Sequence, residues 1–326
     1  MIRLYLHIGY PKSGTTALQA FMTENVAELA QARVLYPKAG RKDHAHYGIN
    51  LALDIGRYDR DDEIESKETL AARLREEAQV SGCDRIVVSS ELFILADSIE
   101  PIRGFFADFD VKIVVYLRRH DHAFESAFNE SLKTFENPPW QPTIESFIVY
   151  NTAIETIPYD YLQTLRKWAC CFGRQAIVVR PYEKQQNVPD IYGDFLRVLE
   201  VPDSHTYARP GKTNPSLNPV AIAAIQAVRK STLKEGVKAR IIEQMIELGG
   251  HAGAAESYLS PEMRNAVVNK YLLSYRSIAK EFMGRPDGVL FNEPMPSPDD
   301  PWAGKPEIES DEILDFILNA SARLIP

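Results

Sequence analysis

Residues 3–29, RLYLHIGYPKSGTTALQAFMTENVAEL, constrain the fold of this chain more than any other stretch. Residues 3–8 read as a strand, and Gly9-Tyr10-Pro11-Lys12-Ser13-Gly14-Thr15-Thr16 follows as a glycine-bearing turn. Apolar residues then recur at helical spacing: Leu18, Phe21, Met22, Val26 and Leu29. A strand that runs through a glycine turn into a helix presents backbone N–H groups and the positive end of a helix dipole, the outline of an anion site. Against the phosphate-loop pattern G-x-x-x-x-G-K-[ST], Gly9, Gly14 and Thr16 fall in register. Thr15 holds the lysine position, and the turn's own lysine is Lys12, so the cation enters from the other side. A tight turn alone needs one glycine; two glycines around Lys-Ser, followed by two hydroxyls, point to phosphate.

Three further apolar runs, Arg85–Ser89, 111–117 and 175–180, read as strands buried on both faces, and 33–36 as a short fourth. Helical patterns lie between them at 63–80, 101–109, 120–135, 159–172 and 189–199. This alternation predicts an α/β fold, a doubly wound parallel sheet flanked by helices. Ligands of such sheets bind beyond the carboxyl ends of the strands, where the glycine turn lies. Further helical patterns at 221–230, 238–248 and 261–282 extend the chain. A Pro- and Asp-rich strap with a closing helix, 285–326, is set apart from a main domain over 1–284.

A length of 326 residues allows one large domain or two small ones. A formal charge of −8 with no basic run excludes a general nucleic-acid surface, so anion recognition must be local. No apolar run reaches the length of a membrane span. The first strand starts at residue 3, which leaves no room for a leader; a cytoplasmic location is the expectation. The three cysteines give neither a disulfide framework nor metal-ligand spacing, and Cys170 and Cys171 are expected to be buried small hydrophobes.

The strand at 111–117 ends in Arg118, and Ser126 lies eight positions on, inside the helix that starts near Asp121. An arginine there offers a planar fork to a phosphate, and a helix-face serine adds a hydroxyl. Pro11-Lys12-Ser13-Gly14-Thr15-Thr16 resembles the 5′-phosphosulfate loop of sulfotransferases that use 3′-phosphoadenosine 5′-phosphosulfate (PAPS), and Arg118 with Ser126 matches their 3′-phosphate motif in form and spacing. The resemblance spans residues 1 to about 215 and implies a P-loop NTPase-like fold. It further implies that Pro11 to Thr16 hold the 5′-phosphosulfate and that Arg118 and Ser126 hold the 3′-phosphate. Arg209 and Lys212 stand nearest to a late Arg-Lys-Gly segment of cytosolic members, in scrambled order. Ala17, where those members carry an aromatic, points to a bacterial-type or carbohydrate-type branch.

Sulfuryl transfer is an in-line displacement like phosphoryl transfer, needing a cation at the bridging oxygen, donors around the equatorial oxygens and a base for the acceptor. Lys12 suits the first task, and Ser13, Thr15, Thr16 and the loop N–H groups suit the second. Glu91 and His46 are the two candidate bases. Glu91 follows the strand RIVVSS, where several sulfotransferases carry a histidine base and others a glutamate. His46 lies in the loop motif HAHYG, and its ordinary pKa suits proton transfer. His7 reads as structural, and His120 and His122 as cap or surface residues. Trp140, Tyr150, Tyr159 and Tyr161 either face an acceptor or fill core. The expected activity is PAPS-dependent transfer to a hydroxyl on a small-molecule or glycan acceptor, such as a carbohydrate or glycolipid. The product would be the 3′,5′-bisphosphate (PAP), and no metal is required. A P-loop kinase or a non-catalytic nucleotide-binding member are the alternatives.

Overall fold

The computed structural model describes residues 1–56, 64–134, 138–141, 143–154, 157–203, 206–211, 217–249, 258–302 and 308–324. In chain order the elements are β1 (Arg3–His7), α1 (Thr15–Glu24), α2 (Val26–Gln31), β2 (Val34–Leu35), α3 (Tyr47–Ala52), α4 (Lys67–Ser81), β3 (Arg85–Ser89), α5 (Glu100–Phe105) and β4 (Asp110–Leu117). There follow α6 (His120–Thr134), α7 (Ile144–Ala153), α8 (Tyr161–Phe172), β5 (Ile177–Pro181), α9 (Ile191–Val198), α10 (Pro219–Lys230), α11 (Glu235–Gly249), α12 (Pro261–Met283) and α13 (Ser310–Ala322). The chain divides into two compact units: Met1–Arg119, Thr156–Gly211 and Lys270–Pro294 form the first, and His120–Glu155, Lys212–Asn269 and Met295–Pro326 the second. The boundary expected at 284/285 falls inside the first unit.

The first unit is a mixed α/β body on a five-stranded, all-parallel sheet in the order β2-β3-β1-β4-β5. Side chains alternate across each strand. One face presents Tyr5, Val87, Val114 and Tyr116 to Leu18, Phe21 and Met22 of α1 and to Phe195 and Leu196 of α9. The other face, with Leu4, Leu6, Ile86, Val88, Ile113 and Val115, is fully buried too, and α8 packs on β4 and β5. Burial on both faces is why these strands read as continuous apolar runs rather than alternating ones.

A polar clamp fastens α9 to the sheet. Asp194 is fully buried and accepts from the Tyr116 hydroxyl at 2.7 Å, from Arg180 Nε at 2.9 Å and from Arg197 Nη2 at 3.2 Å. Burial, then the Asp194 charge, pushes the Tyr116 hydroxyl far above its ordinary pKa and keeps it a donor. Asp194→Leu would leave a half-buried arginine without its counter-ion. We expect it to cost about 3–5 kcal/mol, read as a fall in the urea midpoint with unchanged slope.

The strap's first part belongs to this unit. Glu183, just beyond β5, accepts from the N–H groups of Asn292 (2.7 Å) and Glu293 (3.2 Å), and Gln186 donates to the Leu290 carbonyl at 2.9 Å. Arg119, buried, donates to the Pro294 carbonyl at 2.8 Å.

In the second unit α10 packs on α6, α11 and α13. Arg264 pairs with Asp121 at 3.1 Å and Glu125 at 2.7 Å. Trp140 is buried against Phe147 and Tyr150, so it fills core. Tyr159 and Tyr161 are buried in the first unit.

Several expectations need correction. The loop motif HAHYG runs directly into α3, which starts at its Tyr47, and α7 forms where the apolar pattern predicts no helix; Thr143 caps α7 by accepting from the Ser146 N–H at 3.2 Å. Cys170 is exposed and Cys171 half-buried, because α8 turns Tyr161, Thr164, Leu165 and Trp168 inward. His120 is fully buried rather than at the surface. Among the described residues, no helix is long and apolar enough to cross a membrane.

Candidate active site

The glycine turn leaves the sheet at its central strand. Beyond β1, the Ile8 N–H still bonds the Val114 carbonyl at 3.0 Å, and the chain then winds through φ 27° at Gly9, 65° at Lys12 and 83° at Gly14. A lysine in the left-handed region is uncommon, and such backbone collects at functional sites. Both glycines are required by close approach. A Cβ on Gly9 would lie 2.5 Å from Thr15 Oγ1, and one on Gly14 would lie 2.7 Å from the Tyr182 ring and closer still to Ile191. Gly14 caps α1 with no side-chain hydrogen bond, so no side chain of the cap takes up the first-turn N–H groups.

The hydroxyls divide by role. Ser13 Oγ donates to the Tyr10 carbonyl at 2.6 Å, Ser13 N–H to the same oxygen at 3.3 Å, and Thr15 Oγ1 to it at 3.3 Å. Ser13 and Thr15 are buried and spend their protons shaping the turn, whereas Thr16 is exposed. Pro11 and Lys12 are half-buried.

Arg118 comes to this turn from the end of β4. Its Nη1 donates to the Lys12 carbonyl at 2.9 Å, its guanidinium carbon lies 5.6 Å from the centre of the Tyr182 ring, and its carbonyl accepts from Tyr161 Oη at 2.9 Å. Ser126 lies half-buried on α6, in the second unit. Arg209 does not act as an open cation: it pairs with Asp190 at 3.1 Å and Asp203 at 2.7 Å, and lies over Phe21 and Tyr192. Two carboxylates already meet its charge, so its role is a brace on α9 and α1. Lys212 lies outside the described residues.

Glu91 starts a 3-10 turn, Glu91–Leu95, on the opposite flank of the central strand. Its Oε2 accepts from Gln19 Nε2 at 3.1 Å and its Oε1 from Tyr47 Oη at 2.6 Å. Gln19, buried on α1, also donates to Ser89 Oγ at 3.2 Å, which is 2.8 Å from His7 Nδ1. Two donors hold a half-buried carboxylate in one orientation, and each of its oxygens keeps a lone pair for an acceptor. His46 is a different case. It is fully buried, Nδ1 accepts from the Ser89 N–H at 3.1 Å, and Nε2 faces the Pro37 carbonyl at 3.1 Å. Burial lowers its pKa to about 4, and both ring nitrogens serve the backbone. It joins the loop after β2 to β3, which leaves Glu91 as the candidate base. Gln19 and Tyr47 were not singled out from sequence; a glutamine four residues after Thr15, on the apolar side of α1, was the available signal.

No family model matches the chain. Over 216 residues it is 24% identical to an uncharacterized protein of Archaeoglobus fulgidus, an alignment that covers 64% of this chain and 56% of that protein.

Proposed function

We propose that the first unit is a PAPS-dependent sulfotransferase of P-loop type, acting on a hydroxyl of a carbohydrate-like acceptor. The observation that carries the reading is the bond from Arg118 to the Lys12 carbonyl: two cations, separated by more than a hundred residues of sequence, meet at one glycine turn. Glycine at both positions keeps the backbone in the close turn that would cradle the anion, because a Cβ at Gly9 would collide with Thr15 and one at Gly14 with Tyr182 and Ile191. The reading rests on the first unit alone.

PAPS, when bound, supplies an activated sulfuryl group. The turn N–H groups and Thr16 line an anion, and Lys12 meets the negative charge that gathers on a leaving phosphate oxygen. Arg118, fixed at the turn by its backbone bond, places its guanidinium beside that anion. Glu91 takes the acceptor's proton, oriented by Gln19 and Tyr47.

The test is ligand binding without metal. At a hundred times its Kd, PAP should add about 2.7 kcal/mol, a rise of a few degrees in Tm, with no Mg²⁺ present. A shift with Mg-ATP and none with PAP would move the assignment to a kinase.

A further inference from the structure

Beyond Glu91, on the side of the sheet away from Arg118, two polar side chains hold buried atoms with no hydrogen-bond partner among the described residues. Asn50, on α3, is fully buried, and neither its Oδ1 nor its Nδ2 has a hydrogen-bond partner among the described residues. Nη1 of Arg41 is also buried without a partner, while the guanidinium lies 5.1 Å from the centre of the Tyr36 ring. Folded proteins pair such groups almost without exception, because a bare buried amide or cation forfeits its hydration for nothing. Groups left open in this way face a ligand or ordered water.

Both belong to the neighbourhood of the proposed base. Tyr47, the first residue of α3, bonds Glu91, and Asn50 lies three residues on, along the same side of the helix. The turn that carries Arg41 abuts the start of α3: Gly48 N–H donates to the Gly40 carbonyl at 2.8 Å, and a Cβ on Gly48 would come within 2.9 Å of that oxygen. The charges of Arg41 and Glu91 both reach the buried Tyr36 hydroxyl. Along the carboxyl edge, β2 and β3 bring Arg41 and Glu91 to one side of the central turn, and β4 brings Arg118 to the other. Donor and acceptor would then enter from opposite flanks.

We propose that Arg41 and Asn50 form the acceptor subsite, with Arg41 taking an anionic group and Asn50 a hydroxyl, so that the acceptor is an acidic sugar. The inference rests on Glu91 being the base of the transfer proposed above. An acidic sugar could carry its charge as a carboxylate or as a sulfate ester, and the guanidinium fork suits either.

The experiment is saturation-transfer NMR on the full chain with PAP, using methyl glucuronide, methyl glucoside 6-sulfate and methyl glucoside at equal concentration. The anionic probes should give signals several-fold above the neutral one, and the stronger of the two identifies the anion. Arg41→Gln should bring both down to the level of the neutral sugar. Asn50→Leu should weaken all three signals and raise Tm, because an apolar replacement of similar shape removes two bare polar atoms. Equal signals from the three probes, an unchanged pattern in Arg41→Gln, or a lower Tm in Asn50→Leu would overturn the subsite. PAP melting shifts in wild type and Arg41→Gln separate the two levels. No shift in either sinks the sulfotransferase reading, whereas equal shifts without anionic preference sink the subsite alone.

Discussion

Between pH 7 and pH 5 the protein is expected to lose about 4 kcal/mol of folding stability, well before most carboxylates titrate. His7 and His46 are fully buried, and burial lowers each pKa from 6.5 to about 4. In the unfolded chain both imidazoles take up protons as the pH falls through the ordinary histidine range. In the folded chain they stay neutral until about pH 4. Over that window the unfolded state binds more protons, so stability is full above pH 6.5 and falls as the pH drops; each histidine contributes about 2 kcal/mol of loss by pH 5 and about 3 in all. Urea midpoints at pH 7, 6 and 5 measure it. Two imidazole resonances that hold their neutral shifts down to pH 5 would identify the residues responsible. A midpoint unchanged between pH 7 and pH 5 would refute the account.

Glu91→Gln should lower the rate of sulfuryl transfer by about 10²–10⁴-fold, the usual worth of a positioned general base, while the melting shift with PAP persists. Tyr47→Phe is the informative partner. It removes one of the two donors to the carboxylate and leaves the base in place, so the loss should be about tenfold or less. Equal losses in the two variants would show that the cluster holds the fold rather than the proton.

The parts legible in the sequence were those whose cause is local. The strands could be read from apolar runs because the sheet is covered on both faces, and the glycine turn because backbone at positive φ and close approach admit only certain residues. Arg118 was legible as a strand-end cation, although its bond to the Lys12 carbonyl joins residues far apart in the chain. The rest depended on partners that spacing does not reveal. His46 has the composition of a base, yet its ring serves the Ser89 N–H and the Pro37 carbonyl. Arg209 sits among glycine and proline like a phosphate ligand, yet Asp190 and Asp203 claim it. Gln19 and Tyr47 gain meaning only once α1, α3 and β3 are folded together.

Residue 14 has no side chain to offer, and two side chains from beyond β5, Tyr182 and Ile191, close over the space where one would stand. Glycine at this position is therefore imposed by architecture before any chemistry is asked of it. A descendant of this chain put to any other use would still have to keep it, unless residues 182 and 191 had first grown smaller.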